Sequence, residues 1–201
     1  MSYKQFTLLR LKEQFGLAAY YKPLFTHVAP LPYSNWLKDT LAMSRKNPIK
    51  SEKAKSEMIV APVLLELKQQ NDDFFTIYSG DMLEADKNAG LTGECDFILA
   101  KNTQSFTISY PIFTLIEAKK NDFELGIDQC AAQMYGAWLF NQKHNQPVPF
   151  VYGCVTTADE WMFLKFEDSA FTIDTQKYFI NQLDMVLGAL QTIINEYKNI
   201  I

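Results

Sequence analysis

Two stretches of the sequence organise the chain: Gly93-Glu94-Cys95-Asp96-Phe97-Ile98-Leu99-Ala100 and Phe113-Thr114-Leu115-Ile116-Glu117-Ala118-Lys119. Each reads as a short apolar strand that carries an acid at a defined position. Because side chains alternate between the two faces of a strand, Glu117 and Lys119 point the same way and Ala118 points the other way. If the two strands are neighbours in the sheet, the side chain of Asp96 can lie beside those of Glu117 and Lys119. Two carboxylates and an ammonium at one place are the parts of a divalent-metal site with a cation beside it.

The composition is that of a folded globular protein. The 201 residues are 48% hydrophobic and 14% aromatic, which is enough for one well-buried α/β domain. No apolar run approaches the length of a membrane span, and the first residues lack the apolar core of a signal peptide. Cys95, Cys130 and Cys154 lie in apolar surroundings and are interpreted as reduced and buried. We therefore expect a cytoplasmic protein with no membrane association.

Charge and motif content restrict the chemistry. The net charge of -4 argues against a protein that coats nucleic acid. It does not argue against a nuclease, in which a metal ion and a local basic patch supply the positive charge. The two histidines, His27 and His144, stand near no cysteine or motif, which argues against a Cys/His nucleophile pair. Neither zinc-ligand spacing nor a Gly-rich phosphate loop occurs in the sequence, so the carboxylate cluster is the remaining chemical candidate.

The first 50 residues predict helices joined by an irregular segment. Residues 3–15 have the pattern of a short amphipathic helix that ends at Gly16. Three prolines within residues 20–32 indicate an irregular or extended connector. Ser34 has the position of an N-cap for a second helix. A basic stretch follows from residue 45 to residue 55, and it is interpreted either as a solvated loop and helix start or as a patch that contacts phosphate.

Residues 51–119 predict a helix and three strands. Ser51 caps the helix, which runs to residue 70 and bends at Pro62. Glu66, on this helix, is expected to be exposed. A strand over residues 74–83 follows, in which Gly80 indicates a bulge near the site. With the two stretches that contain Asp96 and Glu117, it forms an antiparallel meander.

The remaining residues predict a crossover to a parallel strand. Residues 122–141 form a helix on which Gln129 and Gln133 share a face. Residues 150–156 and 160–166 form a hairpin whose first strand is central because it is continuously apolar. The connection from the Glu117 strand through this helix is then a βαβ unit. A last amphipathic helix covers residues 176–198, and its apolar stripe serves either core packing or a dimer surface.

Four features occur in a fixed order along the chain: Glu57 on a helix, Asp96 on a strand, Glu117-Ala118-Lys119 on the next strand and Gln129 on the following helix. This ordered set resembles the PD-(D/E)XK nuclease superfamily. Residues 56–65 are similar to the first helix of nuclease domains in type I restriction subunits. Cys95 stands where the family often has proline. The resemblance implies an α/β, restriction-endonuclease-like fold: a mixed central sheet flanked by helices. We expect a single domain over residues 1–201, with an N-terminal helical extension (1–50), a nuclease core (51–166) and a C-terminal helix (167–201).

The candidate metal ligands are the carboxylates of Asp96 and Glu117 and the carbonyl of Ala118, because hard oxygen ligands suit Mg²⁺, with Mn²⁺ as a substitute. By the resemblance, Glu57 binds a second ion or its water, and Gln129 reaches the active site. Lys119 orients or deprotonates the attacking water and stabilises charge on the phosphate; the sequence does not separate these roles. The alternative for Asp96, Glu117 and Lys119 is a structural salt bridge.

Two functions follow from these expectations. The first is a metal-dependent nuclease that hydrolyses phosphodiester bonds in DNA, of restriction, defence or repair type. The second is a catalytically inactive protein of the same fold that binds nucleic acid or a protein partner. Lys50, Lys53, Lys55 and Gln133 are the candidate contacts to nucleic acid. A homodimer is plausible because cutting two strands often takes two sites.

Overall fold

A seven-stranded sheet runs through the molecule in the order β1-β7-β6-β5-β4-β3-β2. The computed structural model describes residues 2–120 and 122–201. The strands are β1 (Ala18–Tyr21), β2 (Phe75–Asp86), β3 (Leu91–Lys101), β4 (Ile112–Ala118), β5 (Phe150–Thr156), β6 (Glu160–Glu167) and β7 (Ala170–Phe179). The helices are α1 (Leu8–Phe15), α2 (Asn35–Ser44), α3 (Glu52–Lys55), α4 (Ala61–Gln69), α5 (Phe123–Lys143) and α6 (Leu183–Lys198).

The sheet is mixed. Strands β2, β3 and β4 form the predicted antiparallel meander, and β4 pairs in parallel with β5 through the crossover helix α5. Strands β5, β6 and β7 are antiparallel neighbours, and β1 adds to β7 in parallel. The predicted α/β class, mixed sheet and central position of the strand over residues 150–156 are confirmed.

Helices cover both faces of the sheet. One core contains the N-terminal residues Tyr3 and Leu11 together with α5, represented by Ile127 and Met134. The other core packs α2, α4 and α6 against the opposite face. Tyr3, in a short 3₁₀ turn, is buried, and its hydroxyl donates to the carbonyl of Leu91 at 3.2 Å. The first 50 residues therefore supply both β1 and part of the main core.

Two strands differ from the sequence prediction. β1 overlaps, at residues 20–21, the segment predicted as an irregular or extended connector, and β7 lies where the last helix was predicted to begin. The helix itself starts at Leu183 and not at residue 176. The prediction was wrong at residues 176–179 because Lys177 and its neighbours continue the pairing of β7 with β6, a contact that helical periodicity cannot reveal.

The helix that begins after Ser51 is continuous to Gln69 but changes its geometry. Ser51 caps it, accepting a hydrogen bond from Ala54 N–H. A π-helical turn over Ser56–Val60 precedes α4, and Ala61 N–H donates to the carbonyl of Ser56, five residues back. The predicted irregularity near Pro62 thus lies in the turn before it, since proline has no N–H to continue the α-helical pattern.

Glu66 is buried, and the prediction that it is exposed was wrong. It is 1% exposed, and its oxygens accept from Ser34 N–H at 2.8 Å, Ser34 Oγ at 2.6 Å and Gln70 Nε2 at 2.8 Å. Ser34 also caps α2 as predicted. Glu66 is buried because α2 folds back over α4 and supplies the donors that a buried carboxylate needs.

Strands β2 and β3 change faces together beside the site. Tyr78 and Leu83 belong to the same core although they are an odd number of residues apart, and the same holds for Cys95 and Ile98. The pairing register nevertheless continues unchanged from Ser79–Phe97 to Asp81–Cys95. Gly80, with φ of 72°, supplies the left-handed conformation that this requires. The predicted bulge is therefore absent at Gly80, where both strands change faces without a change of register; the register shift between β2 and β3 lies between Glu84 and Asp86.

None of the helices within residues 2–120 and 122–201 combines the length and apolar character needed to span a lipid bilayer. The three cysteines are free and buried, as predicted.

Candidate active site

The structure brings Asp96, Glu117 and Lys119 together at the carboxyl end of β4. Phe97 pairs with Ile116, so the next position of the antiparallel ladder sets Asp96 opposite Glu117. The N–H of Ala118 donates to Asp96 Oδ2 at 2.7 Å. Lys119 Nζ lies 2.7 Å from Glu117 Oε1. The alternation of side chains along β4 thus produces the arrangement that the sequence predicts.

Helix α5 completes the cluster with two glutamines on one face. Gln129 Oε1 accepts from Lys119 Nζ at 3.0 Å, and Gln133 Nε2 donates to Glu117 Oε2 at 2.8 Å. Gly126 allows the close approach of this helix, because a Cβ there would lie 2.5 Å from Val155 Cγ1 and 3.0 Å from Lys119 Cγ. The spacing of Gln129 and Gln133 therefore places both side chains on the same ion pair.

Burial and like charge determine the electrostatics of the two acids. Glu117 is 2% exposed, and burial together with the charge of Asp96 raises its pKa to about 7, although Lys119 and Gln133 act in the opposite direction. Burial also raises the pKa of Asp96, against the lowering effects of Ala118 N–H, Lys119 and Lys4. Simultaneous ionisation of Asp96 and Glu117 is therefore unfavourable in this site. A cation bound between them would stabilise the ionised form of both carboxylates.

Glu57 lies outside this hydrogen-bonded cluster. Its side chain is 62% exposed, and its nearest ion-pair partner is Lys53 at 3.8 Å on the same helix. It lines a cleft of about 370 Å³ whose walls also contain Asp96, Glu52 and Glu94. The structure thus places Glu57 on the same cleft as Asp96 but not in contact with Glu117 or Lys119.

The candidate nucleic-acid contacts differ in their exposure. Lys50 is exposed, and Lys53 is exposed beside Glu57. Lys55 Nζ instead donates to the backbone carbonyl of Lys120 at 2.7 Å. Gln133 is completely buried, so it supports Glu117 and is not available to a ligand at the surface.

Glu52 is a residue of the site that the sequence did not single out. Its Oε1 accepts from the backbone N–H of Lys120 at 3.2 Å, and its side chain lines two clefts, one that contains Asp96 and one that contains Lys119. Its only sequence signal is an acid in the first helical turn, which normally indicates a favourable interaction with the helix dipole. The contact with residue 120 depends on the tertiary fold and has no local signature.

Within residues 2–120 and 122–201, no group of three or more His, Cys, Asp or Glu side chains converges on one point as a ready-made metal cage. Comparison with protein-family models, with curated proteins and with solved structures finds no significant match for this chain.

Proposed function

We propose that this protein is a metal-dependent nuclease of the PD-(D/E)XK type, which hydrolyses phosphodiester bonds in DNA. The observation that carries the proposal is the buried Glu117, held between Lys119 and Gln133 with Asp96 on the adjacent strand. Two acids with raised pKa and one lysine at a strand end are a combination that catalysis uses and that a simple structural ion pair does not need.

The order of elements around the site supports a restriction-endonuclease-like core. A helix precedes three antiparallel strands, and α5 then leads to the parallel strand β5. Asp96, the Glu117–Lys119 pair and Gln129 occupy β3, β4 and α5 in the order that the motif requires. This agreement between motif and topology favours the superfamily over a chance Glu-x-Lys sequence.

The donor set fits a hard divalent cation. Asp96 and Glu117, with the carbonyl of Ala118, would hold Mg²⁺ or Mn²⁺, and Glu57 would reach a second ion or its water from the rim. Such a cation, when bound, neutralises charge on the phosphate and lowers the pKa of its water. The raised pKa values of the two carboxyls are the structural reason to expect cation binding, since the ion offsets their burial and mutual repulsion.

The protein's own residues would position the reacting groups. Glu117 and Gln129 fix the ammonium of Lys119 from two sides. In this position Lys119 can stabilise negative charge that develops on the phosphate, or take part in moving the proton of the attacking water. Gln133 fixes Glu117, so that a bound phosphate would meet a rigid site.

A cleavage assay tests the proposal. Plasmid, linear duplex and single-stranded DNA are incubated with the protein in Mg²⁺, Mn²⁺ or EDTA. We expect metal-dependent cleavage that Lys119→Ala lowers by about 10²–10⁴-fold, whereas Lys38→Ala, an exposed lysine on α2, leaves it unchanged. Equal cleavage by the Lys119→Ala protein, once circular dichroism shows that it is folded, would refute the proposed role.

One observation favours the second candidate, a catalytically inactive protein of this fold that binds nucleic acid or a protein. Both oxygens of Glu117 already have protein partners, so this carboxylate is hydrogen-bonded without a metal. Calorimetric titration with Mg²⁺ and Mn²⁺ separates the two candidates. A metal site that Asp96→Asn removes supports the nuclease. No binding up to about 20 mM metal, which limits the binding free energy to a few kcal/mol, supports the inactive protein.

A further inference from the structure

A second cleft opens beside Lys119, and most of the residues that line it have no role in the proposed metal site. It has a volume of about 440 Å³ and opens next to Lys119 and Gln129. Four parts of the chain form its walls: the N-terminal segment with Lys4 and Phe6, Glu52 on α3, Lys120 after β4, and the start of α5 with Asp122 and Leu125. The cleft is thus an extension of the proposed active site.

The charge of this cleft differs from that of the cleft on the other side of Glu52. Four acids and one lysine line the acidic cleft that contains Asp96 and Glu57. The cleft beside Lys119 instead carries three lysines, Lys4, Lys119 and Lys120. In the described part of the chain, the ammonium groups of Lys4 and Lys120 have no acidic partner within ion-pair distance. Two cations therefore remain available to a ligand.

The acids in the cleft beside Lys119 are engaged with the backbone. Asp122 caps α5 by accepting from Leu125 N–H at 3.1 Å, and Glu52 accepts from Lys120 N–H. Apolar surface lies next to the cations, because Leu125 is 62% exposed. The cleft therefore suits a ligand that carries both negative charge and an apolar part.

We propose that this cleft binds one unpaired nucleotide of the substrate strand, adjacent to the phosphate that is cleaved. Lys4 and Lys120 contact its phosphate, and Leu125 contacts its base. The volume lies within the range of roughly 300–1,000 Å³ for pockets that hold a small ligand, which suits one nucleotide. The inference rests on the proposed function and specifies its substrate as a single strand, a flap or a frayed end, of DNA or RNA.

Binding in EDTA tests this inference without any need for catalysis. Fluorescence anisotropy measures the affinity for fluorescein-labelled dT₁₅, rU₁₅ and a blunt hairpin duplex, with poly-glutamate as a competing acidic peptide. We expect the single strands to bind at least tenfold more tightly than the duplex. The difference between dT₁₅ and rU₁₅ identifies the sugar that the site prefers.

Variants with matched controls locate the site. We expect the double variant Lys4→Ala/Lys120→Ala to weaken single-strand binding about tenfold and to lower the slope of log K against log salt by roughly 0.7, the value for one phosphate contact on a single strand. Leu125→Ala should weaken binding severalfold. Lys38→Ala and Leu9→Ala, which are exposed to a similar extent away from the cleft, should not change it. All five positions are on the surface or rim, so the fold should be preserved.

The outcomes distinguish this inference from the proposed function. Tight single-strand binding that depends on Lys4, Lys120 and Leu125 supports the cleft even if Mg²⁺ produces no cleavage, and the nuclease proposal alone then fails. Cleavage of duplex and single strands at equal rates, unaffected by these variants, overturns the cleft proposal alone. Displacement of dT₁₅ by poly-glutamate at equal affinity also overturns it, because the site would then recognise charge without a base.

Discussion

Lys55 Nζ donates a hydrogen bond to the carbonyl of Lys120 at 2.7 Å, while Glu52 Oε1 accepts from the N–H of the same residue. Two side chains from one helical turn therefore hold the backbone that follows Lys119. Glu57 lies on the continuation of the same helix. This helix therefore contributes side chains to both clefts and also contacts the backbone after β4. Lys55, a candidate nucleic-acid contact by sequence, has in the structure the position of a residue that orients the site.

Substitution of Lys55 by methionine tests this positioning role. Lys55→Met keeps most of the apolar stem and removes the hydrogen bond, so we expect kcat to fall about tenfold, an effect on the scale of one charge-assisted hydrogen bond. KM and the salt dependence of nucleic-acid binding should remain unchanged, whereas a lost phosphate contact would reduce the salt slope. Lys38→Met, at an exposed lysine on α2, is the control. A reduced salt slope with unchanged kcat would return Lys55 to the role of a phosphate contact.

The stability of the metal-free protein should fall as pH rises through the titration of Glu117. Its pKa is raised from 4.5 to about 7, so the folded state binds this proton more tightly than the unfolded state does. Stability from this group is complete below pH 4.5 and is lost between pH 4.5 and about 7, a change of about 3 kcal/mol. Urea unfolding in EDTA at pH 5 and pH 8 measures it.

Glu117→Gln should flatten this pH dependence, because an amide does not titrate. A smaller slope of the same sign should remain, since the pKa of Asp96 is also raised by burial. Glu57→Gln removes an exposed carboxyl and should leave the slope unchanged. If Glu117→Gln and the unaltered protein lose the same stability between pH 5 and pH 8, Glu117 is not the group responsible.

Divalent cations should stabilise the folded protein more strongly at high pH. Mg²⁺ or Mn²⁺ binds the ionised carboxylates, and at pH 8 no proton competes at Glu117. We expect 10 mM Mg²⁺, if it exceeds Kd about 100-fold, to add about 2.7 kcal/mol, and to add less at pH 5.5. Thermal unfolding with Mg²⁺ or EDTA checks this. Asp96→Asn should abolish the difference in unfolding temperature between Mg²⁺ and EDTA. An equal difference in that variant would show that the ion binds at another site.

Replacement of Glu66 should affect stability and not activity. Glu66→Ala leaves the donors of Ser34 and Gln70 without their shared acceptor, and we expect a loss of about 3 kcal/mol, as for a buried group hydrogen-bonded to charge. Glu57→Ala on the exposed face should change the free energy of unfolding by less than about 0.5 kcal/mol. Urea denaturation measures both. Cleavage per folded molecule should be unaffected by Glu66→Ala, because Glu66 touches neither cleft beside Glu52.

The features predicted well from sequence are those encoded over short distances. Side-chain alternation sets Glu117 and Lys119 on one face of a strand, and the helical repeat sets Gln129 and Gln133 on one face of α5. The meander requires only that successive strands pair. These relationships depend on backbone geometry within a few residues, so the amino-acid sequence is sufficient to bring the candidate site residues together.

The features that sequence reasoning missed depend on distant partners. Glu66 is buried because Ser34 supplies its donors, and Glu52 belongs to the site because residue 120 lies beside it. β1 is recognisable as a strand only through its pairing with β7, where Ala18 lies opposite Ala170. In each case the local pattern fits a surface helix or a loop equally well. Only the tertiary fold determines which alternative forms.

The pairing of β1 with β7 has a consequence for the order in which this protein is synthesised and folds. On the ribosome, residues 18–21 emerge first, and the strand that they pair with follows about 150 residues later. The meander, α5 and the cluster around Glu117 are complete in sequence by residue 143, before β7 exists. The residues of the cluster around Glu117 are therefore synthesised while β1 still has no strand to pair with. Closing the long loop between β1 and β7 is entropically costly and slow. Residues 18–21 stay without their partner strand until β7 is made, so a chaperone that shields them during translation would lower the risk of mispairing.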